Sequence, residues 1–213
     1  MVYLVLIGDL IASRDSKNRK DLQKQIKSVL RQVNERTPKP VSPYTLTLGD
    51  EFQAVFENAD HIFEDIVQIL WAMHPVQVRF SLGLGEITTD LNTEQALGMD
   101  GPAFYLARDG INQLKEDGGL IRLEGLPEPW DALAESSLFL VNRRIKKWDI
   151  NRLAILHGLL SGKDKKVIAA DLGITAQAVY KNISTGELAA VIEYLKALTN
   201  ILNKCLGVDL VSE

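Results

Sequence analysis

The chain has 213 residues, of which 46% are hydrophobic and 24% are charged, which is ordinary for a globular protein of one or two domains. Its single cysteine, Cys205, excludes an internal disulfide and a cysteine-based zinc site, and its three histidines are widely separated. No apolar run approaches the ~20 residues that span a bilayer. Asp9 interrupts the apolar N-terminal stretch, which lacks the basic start of a signal peptide. We therefore expect a cytoplasmic protein with no membrane partner.

Charge is distributed unevenly along the chain. Residues 1–142 hold 13 basic and 21 acidic residues, a net charge of −8, whereas residues 143–213 hold 11 and 7, a net charge of +4. Such asymmetry is typical of proteins in which one segment faces nucleic acid, although uneven charge also arises by chance.

Strand and helix patterns alternate through the first part of the chain. The apolar run 2–7 predicts a buried strand ended by Gly8-Asp9, and apolar residues at helical spacing predict a helix over 17–36. Residues 44–56 predict two short strands around a turn. Further patterns predict a helix over 59–73, a strand over 76–84, a helix over 101–116 and a strand over 120–123. This order predicts an α+β fold with the ferredoxin-like βαββαβ arrangement and a further helix.

The second part of the chain shows helical patterns only. Residues 124–148 hold two prolines and end in basic residues, so we place the domain boundary there. We predict an α+β domain over 1–130, a connecting helix over 131–148, and an all-α helix-turn-helix domain over 149–213.

Two acidic residues are candidates for a shared site. In a βαββαβ sheet the first strand lies antiparallel beside the third, so its end at Asp9 abuts the start of the third strand at Asp50. Paired carboxylates repel each other unless a cation lies between them. Mg²⁺ accepts one or two carboxylates together with water and phosphate oxygens. We therefore predict that Asp9 and Asp50 bind Mg²⁺ or Mn²⁺, with Glu51 as a candidate third ligand.

The same residues also suit plainer roles. Gly49-Asp50 is a common hairpin turn, because glycine adopts positive φ and aspartate bonds its own backbone. Asp9 is compatible with capping the turn that follows it, and Glu51 with pointing to solvent. Ser13 and Arg14 are candidates for binding a phosphate, but an arginine in the position of Arg14 is more often a solvated surface charge.

The segments around these residues resemble motifs of the nucleotidyl cyclases. IGDLIASRD is similar to their first metal-binding segment, and TLGDEF to the hairpin of the GGDEF-type and class III enzymes. Residues 79–85 are similar to the class III R-x-x-I-x-x-G strand, and residues 101–108 to the G-x-x-V-N-x-A-x-R helix. The resemblance implies a metal at the acidic residues and a nucleotide near Gly49 and Arg108.

The order of these segments, followed by C-terminal helices, is similar to the SatD family over essentially the whole chain. This resemblance implies a nucleotidyl cyclase-like domain fused to a helix-turn-helix domain. Class III cyclases carry an Asn and an Arg on their last helix that stabilise the transition state. Here Tyr105 occupies the Asn place and Arg108 lies one residue early, so the resemblance favours metal and nucleotide binding over cyclisation.

Residues 165–184 predict a helix-turn-helix. Ile168 and Val179 are apolar at internal positions, Gly173 lies where the turn often needs a positive φ, and Thr175 suits the N-cap of the second helix. A helical bundle packed on the first domain is the alternative. The apolar stripe over 187–206 predicts either core or a dimer seam.

The predicted second helix carries residue types that read DNA. Glutamine bonds adenine edges, threonine contacts the thymine methyl group and lysine contacts phosphates. The candidates for DNA contact are Lys165, Lys166, Thr175, Gln177, Tyr180 and Lys181. Residues 143–181 hold nine basic and three acidic residues, which suits a DNA partner. We expect a homodimer, since dimers suit palindromic DNA sites.

Three functions fit these observations. The first is a DNA-binding regulator whose cyclase-like domain senses a metal or a nucleotide. The second is an active Mg²⁺-dependent nucleotidyl cyclase or phosphotransferase that uses Asp9 and Asp50. The third is a module whose helical domain binds another protein. We rank them in this order.

Overall fold

The computed structural model describes residues 1–11, 19–36, 39–47 and 49–208. Five strands form one mixed sheet in the order β2-β3-β1-β4-β5. All neighbouring pairs are antiparallel except β4 and β5, which are parallel. The strands are β1 (Val2–Leu10), β2 (Ser42–Leu46), β3 (Glu51–Phe56), β4 (Val78–Glu86) and β5 (Ile121–Glu124). The helices are α1 (Arg19–Asn34), α2 (Ile62–Met73), α3 (Pro102–Asp117), α4 (Trp130–Ile145), α5 (Ile150–Leu160), α6 (Lys165–Leu172), α7 (Ala176–Gly186) and α8 (Leu188–Leu206).

Strand β1 occupies the middle of the sheet and contributes to both apolar cores. Leu4 and Leu6 pack into a large cluster with α1, α2 and the C-terminal helices. Val5 and Ile7 point to the opposite face, where they pack against α3. This alternation follows from the period of two along a strand. The predicted mixture of strands and helices is confirmed, and β1 is buried on both faces.

The predicted end of the first strand at Gly8-Asp9 is wrong, because β1 continues to Leu10. Gly8 pairs with Phe52 across the ladder, and a Cβ atom at Gly8 would lie 2.1 Å from the Phe52 ring. The glycine therefore provides room for an aromatic ring and does not form a turn. Asp9 consequently lies within the ladder, next to paired residues on both sides.

Two glycines of β4 allow α3 to approach the sheet closely. A Cβ atom at Gly83 would lie 2.2 Å from the carbonyl oxygen of Ala103, and one at Gly85 would lie 2.9 Å from the Ala103 nitrogen. Such close contact of backbone with backbone requires residues without side chains. The R-F-S-L-G-L-G segment is thus shaped by the packing of α3.

The C-terminal helices share the large apolar cluster with the sheet. Helix α5 packs against α2, and the apolar residues of α8 that were predicted to form core or a dimer seam are buried within the chain. The buried residues of this stripe are Leu188, Val191, Leu195, Leu198 and Leu202. The stripe is therefore core. The assignment of 149–213 as a separate domain stays a prediction.

A buried ion-pair network lies where α2 meets the loop after α1 and the end of α5. Arg36 contacts Glu64 at 2.6 Å and Asp65 at 2.8 Å, and Ser161 donates a hydrogen bond of 2.5 Å to Glu64. Tyr44 donates a hydrogen bond of 3.1 Å to Asp65. Burial raises the pKa of Asp65 to about 7, against the opposing effects of Arg36 and Tyr44.

We expect the free energy of unfolding to depend on pH through Asp65. Its pKa lies near 3.8 in the unfolded chain and at about 7 in the folded protein, so the folded state binds more protons between these values. This stabilisation is complete below pH 4 and is lost as the pH rises towards 7. Measured by urea unfolding between pH 4 and pH 7, the free energy of unfolding should decline less in Asp65→Asn than in the wild type. An equal decline in both proteins would contradict the assignment.

Candidate functional site

Asp9 lies near the end of β1, with one charged residue opposite it on each neighbouring strand. Its Cα partner on β3 is Glu51, and its Cα partner on β4 is Arg79. These three side chains share one face of the sheet because residues paired across a ladder point the same way. The register of the sheet therefore collects two carboxylates and a guanidinium from distant stretches of sequence.

Asp9 is paired with two basic side chains. Arg79 Nη1 lies 3.1 Å from Asp9 Oδ2, and Lys115 Nζ of α3 lies 3.5 Å from Asp9 Oδ1. Arg79 Nε also donates a hydrogen bond of 3.2 Å to the carbonyl of Leu114. The Asp9 and Arg79 side chains are 17% and 16% exposed, whereas that of Lys115 is 44% exposed. Asp9 is thus held mainly by a guanidinium that is itself anchored to α3.

Glu51 forms a bidentate ion pair with Arg108 of α3. Nη2 of Arg108 lies 2.6 Å from Oε1 of Glu51, and Nη1 donates to Oε2. The hydrogen bond to Glu51 raises the pKa of Arg108, and the charge of Asp9 acts in the same direction. Bidentate contacts of this kind fix both side chains in the plane of the guanidinium. The Arg108 side chain remains 44% exposed.

The other predicted residues of this site are distributed differently. Asp50 lies in the turn before β3, where its carbonyl accepts a 3.2 Å hydrogen bond from the Leu10 nitrogen. Gly49 is in the same turn at φ 76°, and its carbonyl accepts a hydrogen bond from Gln23. Glu51, one residue after Asp50, is the register partner of Asp9. Ser13 and Arg14 lie outside the described residues.

A divalent metal at this site would have to compete with the basic side chains of the chain. Mg²⁺ binds through carboxylate and water oxygens, but Asp9 already holds Arg79 and Lys115, and Glu51 holds Arg108. Within the described ranges, no group of three or more His, Cys, Asp or Glu side chains is arranged to hold a metal ion. The arrangement does not fit a preformed metal centre, and metal binding by the predicted carboxylates stays a prediction.

Residues predicted to contact DNA lie on α6, α7 and the turn between them. Gly173 ends α6 at φ 63°, and the Thr175 side chain accepts a hydrogen bond from the Ala178 nitrogen at the start of α7. Both features agree with the sequence-based prediction for this turn. The residues that are exposed are Lys166, Thr175, Gln177, Tyr180 and Lys181, and Lys165 is half-buried.

Helices α6 and α7 pack on α5 to form a three-helix unit. Ile168 of α6 packs over Gly158, where a Cβ atom would lie 2.8 Å from its Cγ1. Arg152 of α5 donates hydrogen bonds to Asn182 at 3.3 Å and Thr185 at 2.9 Å on α7. These contacts bury one side of α7 and leave the side that starts at Thr175 exposed.

The two basic partners of Asp9, Arg79 and Lys115, were not selected from the sequence as site residues, whereas Arg108 was. Arg79 appeared there only as part of a motif, and Lys115 only as part of a helix. Neither residue carries a local signal, since their relation to Asp9 depends on the register of β4 and the docking of α3. A correct pairing of β1 with β4 would have been enough to place Arg79 opposite Asp9.

The sheet, its flanking helices and the C-terminal helices define a mixed α+β protein. The chain belongs to the SatD family, whose model matches residues 3–196. None of the helices in the described part of the chain combines the length and apolar character needed to cross a membrane.

The solved structures that are similar to this chain include two cyclases. A bacterial light-regulated adenylyl cyclase is 15% identical to this chain, with a TM-score of 0.43. The match covers 57% of this chain and 42% of the cyclase chain. The second is the catalytic core of a rhodopsin-guanylyl cyclase with converted specificity, in complex with ATPαS. It is 19% identical to this chain with a TM-score of 0.35, and the match covers 51% of this chain and 70% of the cyclase chain. The chain thus spans less than half of the first structure. A comparison with curated proteins gives no match.

Removing each basic partner of Asp9 should have unequal effects on stability. Arg79→Ala removes a largely buried guanidinium, so Asp9 and the Leu114 carbonyl each lose a hydrogen-bond donor. We therefore expect the free energy of unfolding to fall by about 1–3 kcal/mol. Lys115→Ala removes a half-exposed partner of Asp9, so the free energy of unfolding should fall by about 1 kcal/mol or less. Urea unfolding of the two variants measures the difference. Equal losses would contradict the assignment of Arg79 as the main partner.

Proposed function

We propose that this protein is a DNA-binding regulator in which α7 is the recognition helix. The observation that carries the proposal is the exposed face of α7, which begins directly after the Gly173–Thr175 turn and bears polar and basic side chains. A recognition helix enters the major groove with its N-terminal residues against the base edges.

The spacing of the exposed residues supports this role. Ala176 and Tyr180 are four residues apart, as are Gln177 and Lys181, so these two pairs form adjacent rows on one helix face. Val179 is buried on the opposite side. Gln177 is suited to the adenine edge, and Lys181 to a phosphate.

Basic residues of α6 extend this face. Lys165 Nζ lies 5.1 Å from the centre of the Tyr180 ring, so the aromatic side chain holds a positive charge beside the recognition helix. Lys166 is exposed at the start of α6. A surface with several lysines next to base-reading residues provides the phosphate contacts that dominate affinity for DNA.

Binding to labelled duplex fragments from the DNA upstream of its own coding sequence tests the proposal. We expect affinity that falls steeply with salt, because bound phosphates release counterions. Lys181→Ala should weaken binding and reduce the logarithmic salt slope by about one. Lys196→Ala is the matched control, since it removes an exposed lysine of α8 that pairs with Glu193 at 3.2 Å. No salt-sensitive binding, or equal effects of the two variants, would contradict the proposal.

A second function, nucleotide binding at the end of β1, is favoured by the basic side chains there. The side chains of Arg108 and Lys115 are each 44% exposed. Each is paired with a carboxylate, Glu51 or Asp9, and a phosphate group could take the place of that carboxylate. Arginine presents a planar pair of donors that matches phosphate oxygens. We propose that Arg108 and Lys115 bind the phosphates of a nucleotide in competition with Glu51 and Asp9.

Calorimetric titration with ATP and with GTP, with and without Mn²⁺, tests this second proposal. Arg108→Ala should lower the affinity about tenfold or more, as expected for one lost charge-assisted contact. Arg144→Ala is the control, because Arg144 is 45% exposed and is paired with Glu187 at 3.0 Å. A requirement for Mn²⁺ would support the predicted metal ligands. Failure of both nucleotides to bind, or equal losses in both variants, would refute the proposal.

A further inference from the structure

Helix α4 uses one face to cover the outer edge of the sheet. The Asn142 side chain bonds both backbone groups of Ile121 on the edge strand β5: its Oδ1 accepts from the nitrogen at 2.9 Å, and its Nδ2 donates to the carbonyl at 2.8 Å. Leu138 and Ile145 are buried on the same face. The orientation of α4 on the sheet is therefore fixed.

The rest of the α4 surface is unusually apolar. Trp130, Leu133, Phe139 and Leu140 are 43%, 55%, 55% and 64% exposed. Leu133 and Leu140 are two helical turns apart and so share one face. Scattered exposed apolar residues are normal, but a cluster of them on one short helix indicates an interaction surface.

A groove of about 750 Å³ runs beside the second half of this helix. Phe139, Leu140 and Arg143 line it on the α4 side, and Leu114 and Ile121 on the other. Trp130 and Leu133 lie outside the groove, nearer the start of the helix. The exposed surface of α4 thus carries apolar side chains along its length and borders a groove along its second half.

We propose that the occupant of this surface is a second copy of the chain, packed through α4 against α4 in antiparallel orientation. A two-fold axis near Ser136 would place Leu133 opposite the partner's Leu140. Leu133 of each copy then meets the rim of the other copy's groove, at Leu140. Such self-complementarity is what a two-fold interface requires, because both copies present the same patch.

The charges along α4 are complementary in the same orientation. Glu128 and Asp131 lie at its start, and Arg143 and Lys147 at its end, so antiparallel packing brings acidic groups next to basic groups. Parallel packing would instead place like charges together. Antiparallel packing also sets each positive helix start beside a negative helix end. Ser136 is small enough for close approach at the axis.

Disulfide trapping tests the orientation. In a Cys205→Ser background, Leu133→Cys and Leu140→Cys are prepared as separate proteins and oxidised alone or as an equimolar mixture. A disulfide requires Cα atoms within about 7 Å. We expect a covalent dimer in the mixture and little or none in either protein alone. No covalent dimer in the mixture, or as much in a single variant, would overturn the proposal.

The molecular mass in solution provides an independent test of the proposed dimer. At high micromolar concentration, light scattering should give a dimer for the wild type and a monomer for Leu140→Glu. Leu140 is 64% exposed, so its substitution should leave the circular dichroism spectrum unchanged. Leu91→Glu, at another exposed leucine outside α4, should remain a dimer. A monomeric wild type, or a dimeric Leu140→Glu protein, would overturn the proposal.

Discussion

Strand β1 lies between β3 and β4, and its two ladders of backbone hydrogen bonds set the relative positions of Asp9, Glu51 and Arg79 at the candidate site. The β3 ladder places Glu51 beside Asp9, and the β4 ladder places Arg79 there. Helix α3 then adds Lys115 and Arg108 because the glycines of β4 allow it to lie close to the sheet. Two partly buried carboxylates are thereby paired with three basic side chains.

The elements of the sheet were predictable from local patterns, since alternation and helical spacing are properties of short windows. The length of β1 was not, because Gly8 and Asp9 are turn residues by composition. Their place in a strand depends on two distant partners: the Phe52 ring needs the space above Gly8, and Arg79 compensates the charge of Asp9. The charge balance of the site was missed for the same reason, since it follows from strand register and from helix docking.

The turn before α7 was predictable in detail because its determinants are local. Gly173 adopts a positive φ at the end of α6, and Thr175 caps α7 with its own side chain. The location of the α8 stripe was left open by the sequence, since an apolar face gives no indication of what covers it. The structure buries that stripe within the chain, whereas the apolar face of α4 stays exposed.

The DNA-binding proposal rests on side chains of α7 that a duplex would meet directly. Selection from a library of random duplexes, performed in parallel with the wild type and with Gln177→Ala, tests it most directly. The proposal predicts that the wild type enriches a defined sequence and that the variant loses preference at one base pair within it while keeping the others. Enrichment of no sequence by the wild type at low salt, or an identical enriched sequence for the variant, would contradict the proposal.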